Sequence, residues 1–557
     1  MASAVVPVCI VLAYLGGLFA LAQYGGRASN LFGAPRPRTA IYLLGCCISW
    51  GYPTCLGLAG LGGQGGETIL IWLVPVVVFA LGGPIIRRMV RFAKDRNVTT
   101  IADFATAAYG KQVSVGAVIA VILFVASVPL NALMLNAVGV SFAAILGDLP
   151  GPSVPGPARA FCIFVAAAMT VFVIAIGTRR PDNRGHQRGM SLVVATEIVM
   201  RLLAICMLGI FVTWDMFGGV TGLLSQVRQN PRVYNLLIAW PHWSIVSFGL
   251  ACTGGLLFLT SQFQMTVTEN QDLEDLRKAG WFVPLLTGTM ILFALPILIA
   301  SLILFPDQGV HVIAMNEVPL HSNSGLMIAA GLMAGFGAMT SLMLVGSTSI
   351  ATVVSNDLVM PLLLYPWFRR RRRREEEFGT KILTIRRIAI VASFVMAGGC
   401  SVLLDAAKLA VLMQVAVVLF AQIIPPCLFA VAFTNLPARG AIHGVVAGIA
   451  VLLYTMVLPM TGQAFGGPDL LVTQGPFHIA WLRPGALFGL HTDPFTHGMF
   501  WSVGANFAAL TLTCALWMAR VGSGADRFFF QPKIHRKTCF ERWIFPARYQ
   551  SHVGTSA

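Results

Sequence analysis

A glutamate and an arginine stand one helical turn apart inside an apolar run, at Glu197 and Arg201 in TEIVMRLLAI. Ionisable groups at membrane depth are costly and mark function by default. Burial favours the neutral carboxylic acid, which could carry a proton. An arginine four residues on favours the carboxylate, through an intrahelical ion pair. The sequence leaves both roles open, coupling residue and structural pair. Further polar groups in apolar runs are Asn131 and Asn136, beyond Pro129, and Gln414 and Gln422. Each could bind a solute or simply bridge two helices.

Two apolar runs are interrupted at their centres: Ile41–Gly62, IYLLGCCISWGYPTCLGLAGLG, and Ser244–Leu259, SIVSFGLACTGGLLFL. A helix broken in lipid frees backbone N–H and C=O groups at a cost of several kcal/mol each unless something uses them. Paired breaks, one per half, point to a secondary transporter with a binding site near the midplane. Free N–H groups near Thr253, Gly254 and Gly255 could take a carboxylate, helped by the half-helix dipole. Trp50 and Tyr52, in the first break, could stack on a planar solute; Trp50 could equally be a packing aromatic.

These runs belong to a chain of 557 residues, 57% hydrophobic and only 11% charged. Such a composition cannot clothe a soluble domain of this size. We count about thirteen apolar segments able to cross a core of about 30 Å, which implies an all-α polytopic membrane protein. The net charge of +16 follows topology rather than nucleic-acid binding. Lys and Arg crowd alternate loops: Arg87 to Lys111, Arg179 to Arg188, Arg369 to Arg387, and the tail from Arg520. The opposite loops hold only Arg159, Arg228, Arg232, Lys408 and Arg483. The positive-inside rule then puts the N-terminus outside and the C-terminus in the cytoplasm. The run Arg369–Arg374 reads as a solvated linker or as a contact for anionic membrane lipid.

No positive segment precedes the first apolar run, so it reads as an uncleaved helix rather than a signal peptide. All but Cys539 of the 11 cysteines fall in apolar segments, without the spacing of a metal site or disulfide framework. No Walker A motif and no TVGYG-like filter occurs, which argues against an ATP-driven pump and a channel. The expected organisation is an extra N-terminal transmembrane helix (1–25) and two five-helix repeats (39–214 and 243–433). Two further helices (434–520) and a basic cytoplasmic tail (521–557) follow. An odd number of helices per repeat inserts the second upside down relative to the first, a 5+5 inverted, LeuT-type arrangement.

Four blocks, in order along the chain, carry a family resemblance: Asn97–Tyr109 (NVTTIADFATAAY), Thr266–Pro284 (TVTENQDLEDLRKAGWFVP), Val354–Leu362 (VSNDLVMPL) and Asp493–Ser502 (DPFTHGMFWS). They resemble the sodium:solute symporter family, in particular the symporter-type membrane domain of bacterial sensor histidine kinases. The kinase modules of that branch are missing here. The resemblance implies cation-coupled symport of a small organic solute, an amino acid such as histidine, across the bacterial inner (plasma) membrane. It implies no enzyme activity and no cofactor beyond Na⁺ or H⁺ as coupling ion. A second reading is a transporter-like solute sensor signalling to a separate kinase.

By the same resemblance, a cation site falls at the carbonyls of Ser49 and Tyr52, the Gly337 carbonyl, and the Thr340 and Ser341 hydroxyls in GAMTS. Glu197 falls where relatives carry an aspartate near a second ion position. Many relatives also carry an aspartate in the first break, where this chain has SWGYPT. That departure leaves Na⁺ and H⁺ both open.

Overall fold

Hydrocarbon offers no water to the backbone, so each apolar run must close its own hydrogen-bond ladder. In a computed structural model of the chain these runs are helices, and the described residues contain no strand. The structure describes residues 2–27, 35–50, 66–145, 156–178, 188–238, 242–304, 318–319, 324–364, 375–433, 436–460 and 474–521.

The first half opens with α1 (Ala2–Arg27) and α2 (Pro35–Cys46), the latter tightening into a 3-10 turn at Cys47–Trp50. Next come α3 (Gly66–Leu81) and α4 (Gly83–Arg96), bent by 71° at the Gly82–Gly83–Pro84 corner. α4 buries Ile86, Met89, Val90 and Ala93 along one face and keeps its basic residues on the other. The short α5 (Ile101–Ala108) has a reciprocal cap. Thr100 Oγ1 accepts from the Asp103 N–H at 2.9 Å, and the Asp103 carboxylate accepts from the Thr99 N–H at 3.0 Å. Burial pushes the Asp103 carboxyl up, and the Thr99 N–H pulls it back. Then follow α6 (Val113–Ile145), α7 (Gly156–Gly177) and α8 (Arg188–Ile210), with α9 (Val220–Gln229) and α10 (Pro231–Ile238) before the second half.

The second half begins with α11 (His242–Phe258) and α12 (Thr260–Phe263). It continues with α13 (Leu273–Leu304), α14 (Gly325–Val353), α15 (Glu375–Leu403), α16 (Ala406–Ala421) and α17 (Ile424–Ala432). α18 (Ala438–Leu452) and α19 (Pro494–Val521) complete the described bundle. Among the described residues nine helices are long and apolar enough to cross a membrane, or eleven with each bent pair taken as one span. The other two expected segments are α1, apolar over Val11–Gly25, and α2, whose described part is short.

The second break is real but displaced. α11 runs unbroken through Thr253, Gly254 and Gly255, so their N–H groups belong to the helix rather than to a solute. The chain turns extended at Leu259 (φ −62°, ψ 136°), and the axis bends by 44° there. Gly254 serves packing instead. A Cβ on it would stand 2.1 Å from Ile424 Cδ1, so the missing side chain lets α11 close against α17.

Candidate functional site

The side chains of Glu197 and Arg201 lie on the face of α8 that meets α14, and each is 1% exposed. The α14 segment GAMTS supplies their partners. Thr340 donates its hydroxyl hydrogen to Glu197 Oε1. Arg201 Nη2 donates to the Gly337 carbonyl at 2.8 Å and to Ser341 Oγ at 2.9 Å. Ser341 in turn donates back to the Gly337 carbonyl at 2.9 Å, the local bond that helical serines favour. A third helix closes the cluster. Tyr14 on α1 donates to Glu197 Oε1 at 2.8 Å and meets Phe336 edge-on at 5.4 Å. Its hydroxyl lies 3.2 Å from where a Cβ on Gly337 would stand, so glycine there leaves room for it. Glu197 Oε2 accepts no hydrogen bond from the described residues.

The described part of the expected cation site, Gly337, Thr340 and Ser341, is therefore assembled in one place. Two of its members face a guanidinium and the third faces a carboxylate. The backbone of Ser49 and Trp50 ends the 3-10 turn that follows α2; their side chains, all of Tyr52 and the expected first break lie outside the described residues.

A second polar region surrounds the Leu259 break. A cavity of about 30 Å³ lies between α6, α14, α16 and the break, lined by Ser127, Asn131, Leu259, Thr260 and Ser261 among others. One water needs about 10–15 Å³ by such a measure, so this space suits a water or two. Asn131 Nδ2 donates to Ser393 Oγ at 3.2 Å and to Ser347 Oγ at 3.4 Å, which ties α6 to α15 and α14. Just past the break, Gln262 Nε2 donates to the Cys46 carbonyl at 3.1 Å and to Thr266 Oγ1 at 2.6 Å. The segment after the Leu259 break is thus joined directly to the end of α2. Sequence reasoning missed Gln262; its signal was a glutamine in TSQF immediately after an apolar run. It also missed Tyr14, which carries no signal beyond a hydroxyl in an apolar helix.

Gln422 belongs elsewhere, which corrects its reading as a solute ligand. Its Nε2 donates to Ser502 Oγ and the Val418 carbonyl, both at 3.0 Å. Asn506 Nδ2 donates to the Gln422 backbone carbonyl at 2.8 Å and to its Oε1 at 3.1 Å. Both Nε2 hydrogens are used and Oε1 already accepts from Asn506, so the amide is held by α19 and its own helix away from the Leu259 pocket.

Near α5 three polar contacts join neighbouring elements. Thr100 Oγ1 donates to Asp357 Oδ2 at 2.7 Å, Tyr109 donates to the Pro426 carbonyl at 3.0 Å, and Arg386 Nε donates to Ser355 Oγ at 3.1 Å. No group of three His, Cys, Asp or Glu side chains that could hold a metal ion occurs among the described residues.

No protein-family model matches the chain, and no curated protein matches it in sequence. Its fold is similar to that of a substrate-bound, outward-open Na⁺-coupled sialic acid symporter, with a TM-score of 0.61 at 11% identity. That alignment covers 92% of this chain and 98% of the symporter. Looser likenesses include an Eremococcus coleocola manganese transporter (TM-score 0.45, 14% identity, 88% of this chain and 97% of that one). Another is MhsT in complex with L-phenylalanine (TM-score 0.42, 12% identity, 86% and 98% coverage). At such identities the likeness is one of fold. The chain is a multi-pass membrane protein with the LeuT-type arrangement.

Proposed function

We propose that this protein is a secondary active transporter that moves a small organic solute by alternating access, driven by a cation gradient. The observation that carries the reading is the break at Leu259 beside a mainly apolar pocket whose few polar groups come from α6 (Ser127, Asn131) and from Thr260 and Ser261 just past the break. In lipid, irregular backbone is tolerated where it lines a cavity or a binding site. The pocket is too small for an amino acid in the present conformation, so a solute can enter only if the helices around it separate. The polar ties among α5, the helical turn after α14 (Val354–Val359), α15 and α17 would hold one end closed while the other opens.

The resemblance to sodium:solute symporters makes an amino acid such as histidine the first solute to try. Asn131, Thr260 and Ser261 are the polar groups at hand for a zwitterion. Glu197 is the candidate coupling residue, held by Tyr14 and Thr340. The membrane would be the bacterial inner membrane, with the N-terminus outside.

Uptake of radiolabelled histidine and an amino-acid panel into proteoliposomes, under separately imposed Na⁺ and proton gradients, tests this. Accumulation driven by a gradient is the expected result. Binding with no accumulation under either gradient would overturn transport and leave the solute-sensor reading.

A further inference from the structure

We propose that the Arg201 guanidinium is a resident cation at the α14 site, so that the protein neither binds nor requires Na⁺ there. The consequence for uptake rests on the transporter reading above; the binding claim does not.

The argument starts from the acceptors. A cation site on GAMTS would be built from the Gly337 carbonyl and the two hydroxyl oxygens beside it. Arg201 Nη2 lies 2.8 Å from that carbonyl and 2.9 Å from Ser341 Oγ. One nitrogen of a fixed positive charge thus already sits where a bound ion would be. The Gly337 carbonyl lies within α14 and also receives the Ser341 hydroxyl hydrogen, so the helix ladder, Ser341 and Arg201 already use its acceptor capacity. Thr340 donates its hydrogen to Glu197, which leaves its oxygen lone pairs free, so what opposes an ion there is the Arg201 charge rather than a lack of acceptors.

Charge decides the matter. A guanidinium keeps its proton under all physiological conditions, unlike an ammonium or imidazole. An Na⁺ sharing these oxygens would lie at contact range from it. Like-charge repulsion at about 4 Å, in surroundings of intermediate dielectric, weakens binding on the order of a thousandfold. The guanidinium also has a counter-group that needs no ion: the Glu197 carboxyl lies a helical turn away with its Oε1 held by Tyr14 and Thr340, and its carboxylate form balances the charge. The pair supplies the cation and the anion that an ion site needs, both from α8, and α8 carries the positive charge wherever it moves.

Equilibrium binding of ²²Na⁺ to the full-length protein in detergent provides the direct test, since it needs neither a solute nor transport. The wild type is expected to show no saturable signal that depends on Thr340 and Ser341. Saturable binding that Thr340→Ala or Ser341→Ala removes would overturn the proposal. Arg201→Ala is expected to bind ²²Na⁺ about a thousandfold more tightly than wild type, the factor set by removing the like charge. It should also be stabilised against heat by guanidinium chloride more than by choline chloride at low millimolar concentration. A folded Arg201→Ala showing neither effect would overturn the proposal. Should that variant fail to fold, Arg201→Lys keeps a cation in place and is expected to fold and bind no ²²Na⁺; saturable binding to it would overturn the proposal. If a panel solute accumulates, replacing Na⁺ by choline should leave wild-type uptake unchanged, and strict Na⁺ dependence abolished by Thr340→Ala would overturn the idea. Failure of every solute to accumulate would sink the transporter reading and leave the ²²Na⁺ result to decide this one.

Discussion

Two buried polar clusters lie in the apolar bundle, and they follow opposite rules. Around Gln422 the groups are neutral amides and a hydroxyl, and α16, α18 and α19 close on them. Glycines at 440, 444 and 448 make that approach possible. A Cβ on Gly444 would stand 2.6 Å from Asn506 Oδ1, and one on Gly448 would stand 1.9 Å from Gln422 Oε1. This is the small-residue packing by which membrane helices associate. Around Glu197 and Arg201 the groups are charged, three helices contribute, and one carboxylate oxygen accepts nothing from the described residues. Asn506 Oδ1 also accepts nothing from the described residues, but an unmatched neutral amide oxygen costs far less than an unmatched charge, so little drives that cluster to rearrange. A charged pair whose partners sit on α1 and α14 can exchange them if those helices shift, as the proposed alternating access would require.

The largest effect should come from breaking the charged cluster. Removing one partner of a buried pair leaves an uncompensated charge and costs roughly 3–5 kcal/mol. Arg201→Ala should therefore lower the stability of the detergent-solubilised protein by that amount, read from its unfolding midpoint. The double variant Glu197→Gln with Arg201→Met should regain most of the loss, because no lone charge remains, and yet recover no uptake. If the double variant transports normally, the charged cluster is as structural as the one around Gln422 and the contrast collapses.

Tyr14→Phe comes next. It removes one hydrogen bond to Glu197 and little volume, and such a bond to a charged group is worth about 1.5–3 kcal/mol. Uptake and its dependence on pH should both change. A purely structural role for Tyr14 would lower stability and leave the pH profile of uptake where it was.

What could be read in the sequence, and what could not, divides along similar lines. Apolar runs fix helices wherever water is absent, so the spans were legible. Glu197 and Arg201 were legible because charge inside an apolar run is rare. Thr340 and Ser341 were legible only through a family resemblance, since hydroxyls bonding their own helix look the same in a sequence. The position of the second break was misread because glycine in a membrane helix marks close packing as readily as unwinding. Gly254 packs against Ile424, and the chain opens at Leu259, a residue with no turn chemistry of its own. The Glu197 contact from Tyr14 lies 183 residues away along the chain, and only tertiary packing brings it in.

On the other side of the comparison, Gly448→Ala should act on stability alone. Overpacking a tight contact costs about 1–3 kcal/mol, and here the new methyl would meet Gln422 Oε1 and the Asn506 side chain. The expected result is a lower unfolding midpoint with unchanged uptake per folded molecule. A change in solute affinity would instead connect the α18–α19 pair to the pocket.

The smallest effect belongs to a polar pair that is not buried at all. Asp405 caps α16, accepting from the Lys408 N–H at 2.8 Å, and its carboxylate also lies 2.8 Å from Lys408 Nζ. The bonds from Lys408 hold its carboxyl below the ordinary carboxylate range. A depressed folded value means the cap contributes fully above the unfolded range and loses its contribution as pH falls through the depressed value. Asp405→Asn keeps a capping oxygen and deletes the charge. Its unfolding midpoint should match wild type in strong acid and fall slightly below it at neutral pH, with the gap closing as salt is added. The charge is the same as that of Glu197, but water screens it, so the solvent around a carboxylate decides whether its loss is felt by the whole bundle or by one turn of helix.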